Sequence, residues 1–430
     1  MDGLSLSFGE TMSRPQAAVI GTGIAGMAAA YFLKEDFQVT LYEKDLRPGG
    51  HTHTVRVEEE GREVFVDTGF MVYNEVTYPN LVKFFKKLGV PVMDTSMSFS
   101  VQYLPTRLEY CGTGIGGLFA QRRNIFRPAY WRFLMDVDRF NRTCVEVLGD
   151  ARFVHQTLAG YVHEKGWHRD LLEKYLLPMS GAIWSTTPKA MNDFPVVTLV
   201  RFFKNHGLLG LTTHYQWKTI PGGSRIYRDK VLSFFPAGIK LGHQAVVVKR
   251  KEGAVLVKDS LNQECRYDRV VLAGHANESL AMMDSPTPHE RELLGCFHYQ
   301  KNHATLHTDK SVMPRARSAW SSWNYRAQSD QSSSVIYWMN SLQRVSEKKN
   351  YFVSINDPGL VDPQRVLWEG DYEHPVFTLE AIAAQKSLPQ LNQKGPVYFC
   401  GSYFGYGFHE DAFCAGMNAA SAILGKELSL

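Results

Sequence analysis

The chain lacks paired cysteines and a strong excess of charge of either sign. Its six cysteines are widely spaced and include no C-x-x-C pair, so we expect free thiols in a reducing, cytoplasmic setting rather than a disulfide framework. The net charge of +4 over 430 residues is too small to indicate a nucleic-acid partner. No metal site is predicted.

The chain also lacks an apolar run long enough to cross a membrane. Ala17–Leu33 carries no charge, but it has 17 residues and three glycines, whereas a membrane-spanning helix needs ~20 apolar residues. No basic segment or cleavage site typical of a signal peptide accompanies it. With 44% apolar, 21% charged and 12% aromatic residues, the composition is that of a folded protein of two or three packed units. A loose tail is expected over residues 1–15, which are polar and weakly patterned.

One early stretch organises the rest of the chain. The residues Ala17–Ile20 are typical of a buried parallel strand, and a G-x-G-x-x-G motif follows at once. A helix of small residues and a second strand, Gln38–Tyr42, come next, and Glu43 stands 20 residues after Gly23. This order is typical of a dinucleotide-binding unit. The glycines and the helix N-terminus hold a pyrophosphate, and the acid accepts hydrogen bonds from ribose hydroxyls.

A second group of motifs distinguishes FAD from NAD. Arg47-Pro48-Gly49-Gly50 follows Glu43, and a hairpin predicted over Thr54–Val57 and Val64–Val66 leads to Asp67-Thr68-Gly69. Together with the first motif, this series resembles the FAD-binding half of the amine oxidase and phytoene desaturase superfamily. A nicotinamide dehydrogenase would normally continue into a further strand–helix repeat. The resemblance implies FAD as the cofactor.

Later stretches return twice to this first unit. A helix after Thr219, a strand ending at Gly274, and the strand Pro396–Gly401 with its small-residue helix Ala412–Leu424 all fit the same sheet. We therefore predict an α/β fold with a discontinuous, Rossmann-like FAD-binding domain over residues 16–75, 219–295 and 390–430. An inserted substrate domain of mixed sheet and helices takes residues 76–218 and 296–389. Residues from about 117 to 208 are predicted to form a helical subdomain.

Further motifs, in one order across nearly the whole chain, make the resemblance more specific. VDTGFMVYNEVTYPNL, FAQRRNIFRP, PGGSRIY, SSWNY, YWMN, HPVFT and GYGFHEDA resemble a bacterial subfamily of FAD-dependent amine-oxidase-like proteins. They are also similar to the flavin domain fused to plant cyclopropane fatty acid synthases. The resemblance implies a fold like that of monoamine oxidase and a substrate related to modified fatty acyl chains. It also implies a cyclopropane-synthase-like methyltransferase as a partner.

The resemblance also assigns contacts to the cofactor. Near the start of the chain these are Gly21, Gly23, Ile24, Ala25, Gly26, Glu43, Lys44, Gly49, Gly50, His51, Thr68, Gly69, Phe70 and Met71. Further along they are Val246, Ala273, Gly401, Ser402, Gly407, Phe408, His409 and Ala412. Phe408 is expected to form an aromatic wall over the isoalloxazine. His51 and Ser402 stand where most relatives have an arginine and an acid.

Four residues in these motifs are candidates for catalysis. Phe408 and His409 would lie beside the flavin ring. Lys301 is nearest, by sequence, to the lysine that holds a water against the flavin in amine oxidases. His307 is a further candidate, because histidine accepts protons near neutral pH. Each histidine can equally serve to orient a loop through hydrogen bonds.

The predicted function is that of an FAD-dependent oxidoreductase, since flavins usually take a hydride from a substrate carbon. The resemblance favours a fatty acyl chain, unsaturated or methyl-branched and free or in a phospholipid, that is dehydrogenated or isomerised. Two alternatives stay open: an amine oxidase that forms an imine and hydrogen peroxide, and a non-catalytic flavin subunit that assists a lipid methyltransferase. The aromatic residues of Trp320–Tyr325 and Tyr337–Trp338 suit either core packing or the lining of an apolar tunnel.

A basic and aromatic stretch, Gln121–Phe133, carries four arginines, four aromatic residues and no acid. One interpretation places it on anionic lipid headgroups through Arg122, Arg123, Arg127 and Trp131. The other is a solvated loop whose aromatic rings turn inward. The first predicts a cytoplasmic protein that lies peripherally on the inner face of the membrane.

Overall fold

A parallel sheet of five strands carries the dinucleotide motif. The computed structural model describes residues 14–210, 215–328 and 332–430. Within them, the strand that precedes the motif lies at the centre of this sheet. In spatial order the strands are Ile239–Leu241, Gln38–Glu43, Gln16–Ile20, Arg269–Leu272 and Val397–Phe399. The two predicted returns of the chain to this sheet are therefore observed. The central strands are apolar throughout because both faces of a parallel sheet are covered.

Helices with small residues cover the sheet. Ile24–Leu33 packs along His409–Leu424. A Cβ atom on Gly416 would lie 2.1 Å from the carbonyl oxygen of Ala25, so this close approach requires glycine. The other helices near this sheet and its antiparallel extension are Pro79–Leu88, Arg225–Leu232, Ala276–Met282 and Pro288–Leu294.

Antiparallel units extend this part of the molecule. The predicted hairpin is longer than expected, because Glu60 and Gly61 adopt positive φ and let the strands pair as far as their turn. It consists of Thr54–Glu59 and Arg62–Asp67. A separate three-stranded sheet contains Ala245–Lys251, Ala254–Asp259 and Glu264–Tyr267.

A second large sheet has seven strands. Its pairs are antiparallel except for one parallel pair, Trp323–Ala327 with Phe99–Tyr103. In spatial order the strands are Val366–Val376, His298–His307, Phe352–Ile355, Ser333–Trp338, Trp323–Ala327, Phe99–Tyr103 and Leu108–Cys111. A small sheet consists, in spatial order, of Tyr73–Asn74, Trp217–Thr219 and Met93–Thr95.

The predicted helical region is present and begins slightly earlier than expected. Its helices are Gly114–Leu118, Pro128–Thr143, Leu158–Glu164, Arg169–Leu171, Leu177–Trp184, Pro188–Asn192 and Val196–Asn205. Two shorter helices, Met339–Leu342 and Leu379–Gln385, belong to later parts of the chain. In the described residues, no helix combines the length and the apolar character that crossing a bilayer requires. All six cysteines are unpaired. Most of the predicted N-terminal tail lies outside the described residues.

Candidate active site

One cavity of about 1510 Å³ begins at the dinucleotide motif and continues among the second sheet and the helical region. Pockets for a single small ligand usually have ≈ 300–1,000 Å³. The cavity therefore has room for a dinucleotide and for a second ligand beside it. Most of the predicted cofactor contacts line this cavity; the exceptions are Gly26, Gly49 and Thr68.

The glycine motif shapes the first end of the cavity. Gly21 adopts a φ of 103°, and a Cβ atom on Gly26 would lie 1.9 Å from the carbonyl oxygen of Gly21. Gly26 is thus needed for packing under the turn, which explains why it does not reach the cavity. Gly23 begins the helix Ile24–Leu33, whose first turn has no side-chain cap and no acid. Its free N–H groups and dipole suit a pyrophosphate.

Glu43 closes this end of the cavity. Its carboxylate accepts hydrogen bonds from the backbone N–H of Thr22 at 3.2 Å, from the Thr22 hydroxyl, and from the N–H of Asp45 at 3.1 Å. The Thr22 hydroxyl oxygen in turn accepts the N–H of Gly49 at 2.9 Å. Thr22 therefore ties both glycine turns to Glu43. The sequence analysis missed this residue, because the variable positions of the motif carry no signal of their own.

The second glycine pair lies against the first motif. A Cβ atom on Gly50 would lie 3.3 Å from the Cα atom of Gly23, so both turns border the same space. The next residue, His51, lines the cavity, and its Nε2 atom is buried without a hydrogen-bond partner. Burial lowers the pKa of His51. A neutral imidazole with a buried, unpartnered polar atom fits a hydrogen-bonding group of the cofactor, and the contact itself stays a prediction.

Asp67, from the D-x-G motif, connects this region to the rest of the molecule. Its carboxylate is 1% exposed and accepts hydrogen bonds from the Thr54 hydroxyl at 2.5 Å and the Gln343 side-chain amide at 2.6 Å. The N–H and hydroxyl of Ser224 also donate to it, at 2.9 and 2.8 Å. Three distant parts of the chain thus meet at one carboxylate. Thr68 is buried nearby and does not line the cavity, but it shares a hydrogen bond of 2.7 Å with the hydroxyl of Tyr372, which does.

The C-terminal motif brings His409 into the cavity wall beside the predicted cofactor contacts. Its ring stacks on Phe70 with centroids 3.7 Å apart, and its Nε2 atom shares a 3.0 Å hydrogen bond with the Tyr227 hydroxyl. Burial lowers the pKa of His409 to about 3, so the ring is neutral. Asp411 accepts the N–H groups of Tyr406 and Phe408 and fixes the loop before the helix.

Phe408 forms one side of an aromatic pair. Its ring stacks with Phe202, with centroids 5.1 Å apart and planes at 24°. Phe202 also stacks on His206 at 3.7 Å. All three line the cavity. The sequence analysis missed Phe202 and His206, since nothing in the helix Val196–Asn205 distinguishes a cavity residue from a core residue.

His206 has a defined tautomer. Its Nδ1 atom lies 3.0 Å from the carbonyl oxygen of Phe202, which can only accept, so Nδ1 carries the hydrogen and donates. The Nε2 atom then has a free lone pair. Burial lowers the pKa of His206 to about 4, so the ring is neutral near pH 7 and can accept a proton.

Two of the predicted catalytic residues lie elsewhere. Lys301 is 66% exposed at the rim of the cavity and pairs with Asp371 at 2.8 Å, which raises the pKa of the lysine. The strand alternates, so its buried neighbour Asn302 points inward instead and donates to His374 at 2.8 Å. His307 is fully buried in the second sheet, where it shares a 2.8 Å hydrogen bond with Ser354. His307 does not line the cavity.

The far part of the cavity is apolar. Of the described residues between Phe99 and Trp217 that line it, none is an aspartate, glutamate, lysine or arginine. Its aliphatic and aromatic residues are Phe99, Tyr110, Leu118, Phe133, Leu134, Val137, Tyr175, Met179, Ile183, Trp184, Phe202, Leu208, Tyr215 and Trp217. From the second sheet, Trp323 and Tyr337 also reach it, which favours the tunnel interpretation for these two rings.

Comparisons with known proteins agree with this geometry. Residues 19–88 match the family model of an NAD(P)-binding Rossmann-like domain. Polyamine oxidase 3 of Oryza sativa subsp. japonica is 27% identical over 283 residues, or 62% of this chain and 54% of the relative. This chain therefore spans about half the length of that curated relative.

Two solved structures are similar over almost the whole chain. Cyclohexylamine oxidase from Brevibacterium oxydans IH-35A has a TM-score of 0.70 at 14% identity, covering 96% of this chain and 99% of that chain. A CLA-producing fatty acid isomerase from P. acnes has a TM-score of 0.65 at 12% identity, covering 96% and 98%. The predicted α/β fold, with a Rossmann-type dinucleotide-binding domain and an amine-oxidase-like architecture, is therefore confirmed. The same comparisons support FAD as the dinucleotide.

We expect Glu43→Ala to weaken the retention of FAD by about ten- to a hundredfold. A charge-assisted hydrogen bond is worth about 1.5–3 kcal/mol, and the substitution also releases Thr22 from its carboxylate partner. Equilibrium dialysis of FAD against each variant measures the effect. Asp45→Asn is the matched control, because Asp45 lines the same end of the cavity but is exposed. Unchanged affinity in Glu43→Ala would show that Glu43 is not the ribose ligand.

Proposed function

We propose that this protein is an FAD-dependent oxidoreductase that dehydrogenates or isomerises an unsaturated or methyl-branched fatty acyl chain. The observation that carries the proposal is the part of the cavity formed by residues 99–217, which continues from the dinucleotide site, carries no acid and is mainly apolar. The acids Asp371 and Glu373 line the cavity from the second sheet instead, and Asp371 is paired with Lys301. Transfer of an acyl chain into such a chamber is favourable by about 0.8 kcal/mol for each buried CH₂ group. A protonated diamine would instead need a carboxylate there to pair its charge.

The residues at the first end of the cavity fit FAD. The uncapped helix N-terminus after Gly23 and the turn at Gly50 would hold the pyrophosphate, and Glu43 would accept from the ribose. Phe408 would face the isoalloxazine ring. When bound, FAD supplies an acceptor for a hydride from a substrate carbon. No cysteine stands directly beside Phe408–Glu410 in sequence, so we expect acid denaturation to release the flavin.

His206 is the side chain best placed to take the proton. Formation of a new double bond breaks two C–H bonds on neighbouring carbons: one hydrogen leaves as a hydride to FAD and the other as a proton. The proposal assigns the proton to the Nε2 atom of His206, whose lone pair is free because Nδ1 donates to Phe202. The faces of Phe202 and Phe408 would stabilise positive charge that develops on an allylic carbon.

The test is anaerobic reduction of the protein-bound flavin. We expect detergent-dispersed lipids with unsaturated or methyl-branched acyl chains to bleach the flavin absorbance, and saturated straight chains to leave it unchanged. If the reaction is a dehydrogenation, the product of an unsaturated chain should show the ultraviolet absorbance of a conjugated diene. An isomerisation returns the hydride to the product and leaves the flavin oxidised, so the double-bond positions of the product are determined as well. Lipids of either kind that neither bleach the flavin nor change their double bonds would contradict the proposed substrate.

Replacing His206 by glutamine tests its role. We expect flavin reduction by the acyl substrate to slow by about 10²–10⁴-fold, the usual contribution of a general base. His163→Gln, at an exposed histidine of the same helical region, should react at the parent rate. The FAD content of both variants should equal that of the parent. A parent-like rate in His206→Gln would show that His206 does not accept the proton in this reaction.

An amine oxidase is the second candidate, and two observations favour it. The curated relative is a polyamine oxidase, and one similar structure is a cyclohexylamine oxidase. In that case a soluble amine, and not an acyl lipid, would bleach the flavin, and hydrogen peroxide would appear on admission of oxygen. A protein that holds FAD but is reduced by neither class would instead fit a subunit that assists a lipid methyltransferase.

A further inference from the structure

One face of the helical region exposes large apolar side chains. Phe126 is 85% exposed, and Trp131 and Met135 lie one turn apart on the exposed side of the helix Pro128–Thr143. Ile115, which is 78% exposed, belongs to the helix Gly114–Leu118, and Phe119, just after that helix, packs against Trp131 with ring centroids 5.1 Å apart. We name Ile115, Phe126, Trp131 and Met135 the apolar face. The Trp131 indole donates to the carbonyl oxygen of Ile125 at 2.8 Å, so the helix and the preceding turn form one surface. Clustered exposure of this kind marks an interaction site.

The apolar face is surrounded by positive charge. Arg122, Arg123, Arg127 and Arg132 are all exposed, and the sequence from Cys111 to Met135 contains no acid. The exposed Asp138, one turn after Met135, is paired with Arg142 at 2.9 Å. A second copy of the chain that presented the same face would bring these like charges together, which opposes self-association. An anionic lipid surface satisfies both features, since arginines attract its headgroups and the apolar side chains enter the interface.

The helices Gly114–Leu118 and Pro128–Thr143, which carry three of the four residues of the apolar face, also line the cavity. Gly114–Leu118 exposes Ile115 on one side and places Leu118 in the cavity wall. On the helix Pro128–Thr143, Leu134 and Val137 line the cavity while Trp131 and Met135 face outward. Gly112, Thr113 and Gly114 line the cavity and are exposed. The cavity therefore opens to solvent beside the apolar face.

We propose that the apolar face and its four arginines dock on the anionic surface of a bilayer, and that an acyl chain enters the cavity at residues 112–114. This inference rests on the proposed function for the identity of the substrate, but the docking itself does not depend on it. An acyl chain that moves directly from the bilayer into the chamber never exposes its apolar length to water, which is the physical reason to place the opening there.

The test is co-sedimentation of the flavin-loaded protein with vesicles. We expect stronger binding to vesicles that contain phosphatidylglycerol than to phosphatidylcholine vesicles, and weaker binding as salt rises. Replacing Arg122, Arg123 and Arg127 together by glutamine should lower the partition coefficient by about a hundredfold. The matched control replaces Lys251, Arg266 and Lys394, which are exposed on other parts of the surface, and should bind like the parent.

A second pair of variants tests how much the apolar side chains contribute to vesicle binding. Phe126→Ser should lower vesicle binding by at least tenfold, whereas Leu261→Ser, at an exposed leucine in another part of the chain, should not. Equal loss in the two triple variants would mean that net charge, and not this face, drives binding, and the proposal would fail. It would also fail if the parent ignored anionic vesicles at low salt.

The outcome separates docking from the proposed reaction. If the protein ignores vesicles while a detergent-dispersed acyl lipid bleaches its flavin, the docking inference is wrong and the proposed function stands. If the protein binds anionic vesicles through Phe126 and the arginines but no acyl lipid reduces its flavin, docking is supported and the proposed substrate is wrong.

Discussion

Replacing Asp67 by alanine is expected to lower the free energy of unfolding by about 4 kcal/mol and to abolish FAD retention. The substitution leaves the donors of Thr54, Ser224 and Gln343 without their shared acceptor in a buried site. Each buried donor left without an acceptor typically costs about 1–3 kcal/mol. Since a whole domain is stable by about 5–15 kcal/mol, the variant should lose a large part of its stability but stay folded. Urea denaturation and the flavin content of the purified variant measure the two effects.

Two further variants test the hydrogen bond between Asp67 and Gln343 directly. Asp67→Asn keeps the shape but turns one acceptor into a donor that faces the Gln343 amide, and the double variant with Gln343→Glu restores that one pair. We expect the double variant to be more stable than Asp67→Asn. Asp309→Ala is the control: Asp309 is also buried, but it accepts from Ser311 and Asp362, away from the cavity. That control should lose stability and keep FAD; retention of FAD by Asp67→Ala would contradict the prediction.

The buried rings of His53, His206 and His307 are expected to cost the FAD-free protein about 6 kcal/mol of stability between pH 7 and pH 5. Burial lowers the pKa of His53 to about 3 and those of His206 and His307 to about 4. In the unfolded chain each has a pKa of ≈ 6.5, so below that value the unfolded state binds more protons and gains stability as the pH falls. At pH 5 the effect is about 2 kcal/mol for each histidine. The loss deepens until the folded-state pKa values are reached.

Thermal unfolding at a series of pH values measures this loss. His374 and His409 act in the same direction, because burial lowers their pKa values to about 4 and about 3. Asp67 and Asp411 act in the opposite direction, because burial raises their pKa values, that of Asp411 to about 6. His307→Gln lies outside the cavity and should reduce the loss by about 2 kcal/mol, whereas exposed His163→Gln should leave it unchanged. A melting temperature that stayed constant from pH 7 to pH 5 would show that these histidines are not buried as neutral rings.

The sequence indicated the cofactor end of the cavity correctly because its signals are local. A strand, a glycine turn and a helix follow one another directly, so their chemistry is visible within Ala17–Glu43. Glycine at positions 21 and 26 is required by backbone geometry that only close packing creates. The return strands were predictable for the same reason: runs such as Arg269–Leu272 are apolar throughout, as buried parallel strands are.

The sequence also indicated the basic and aromatic stretch, but it left two interpretations open. Tyr130 and Phe133 turn inward, whereas Phe126 and Trp131 stay exposed, so the surface combines parts of both. Which rings face out depends on how the helix Pro128–Thr143 packs against the second sheet and the short helix Gly114–Leu118. Packing of this kind is set by residues far away in the chain.

The tertiary structure alone decided which side chains line the part of the cavity beyond the dinucleotide motif. Lys301 faces solvent and its neighbour Asn302 faces inward, because a shift of one residue in a strand moves every side chain to the other face. His206 and Phe408 are distant in sequence and reach the same cavity only after the helical region packs on the C-terminal motif. Local patterns therefore determined the cofactor-binding elements, whereas strand register and long-range packing determined the rest of the site.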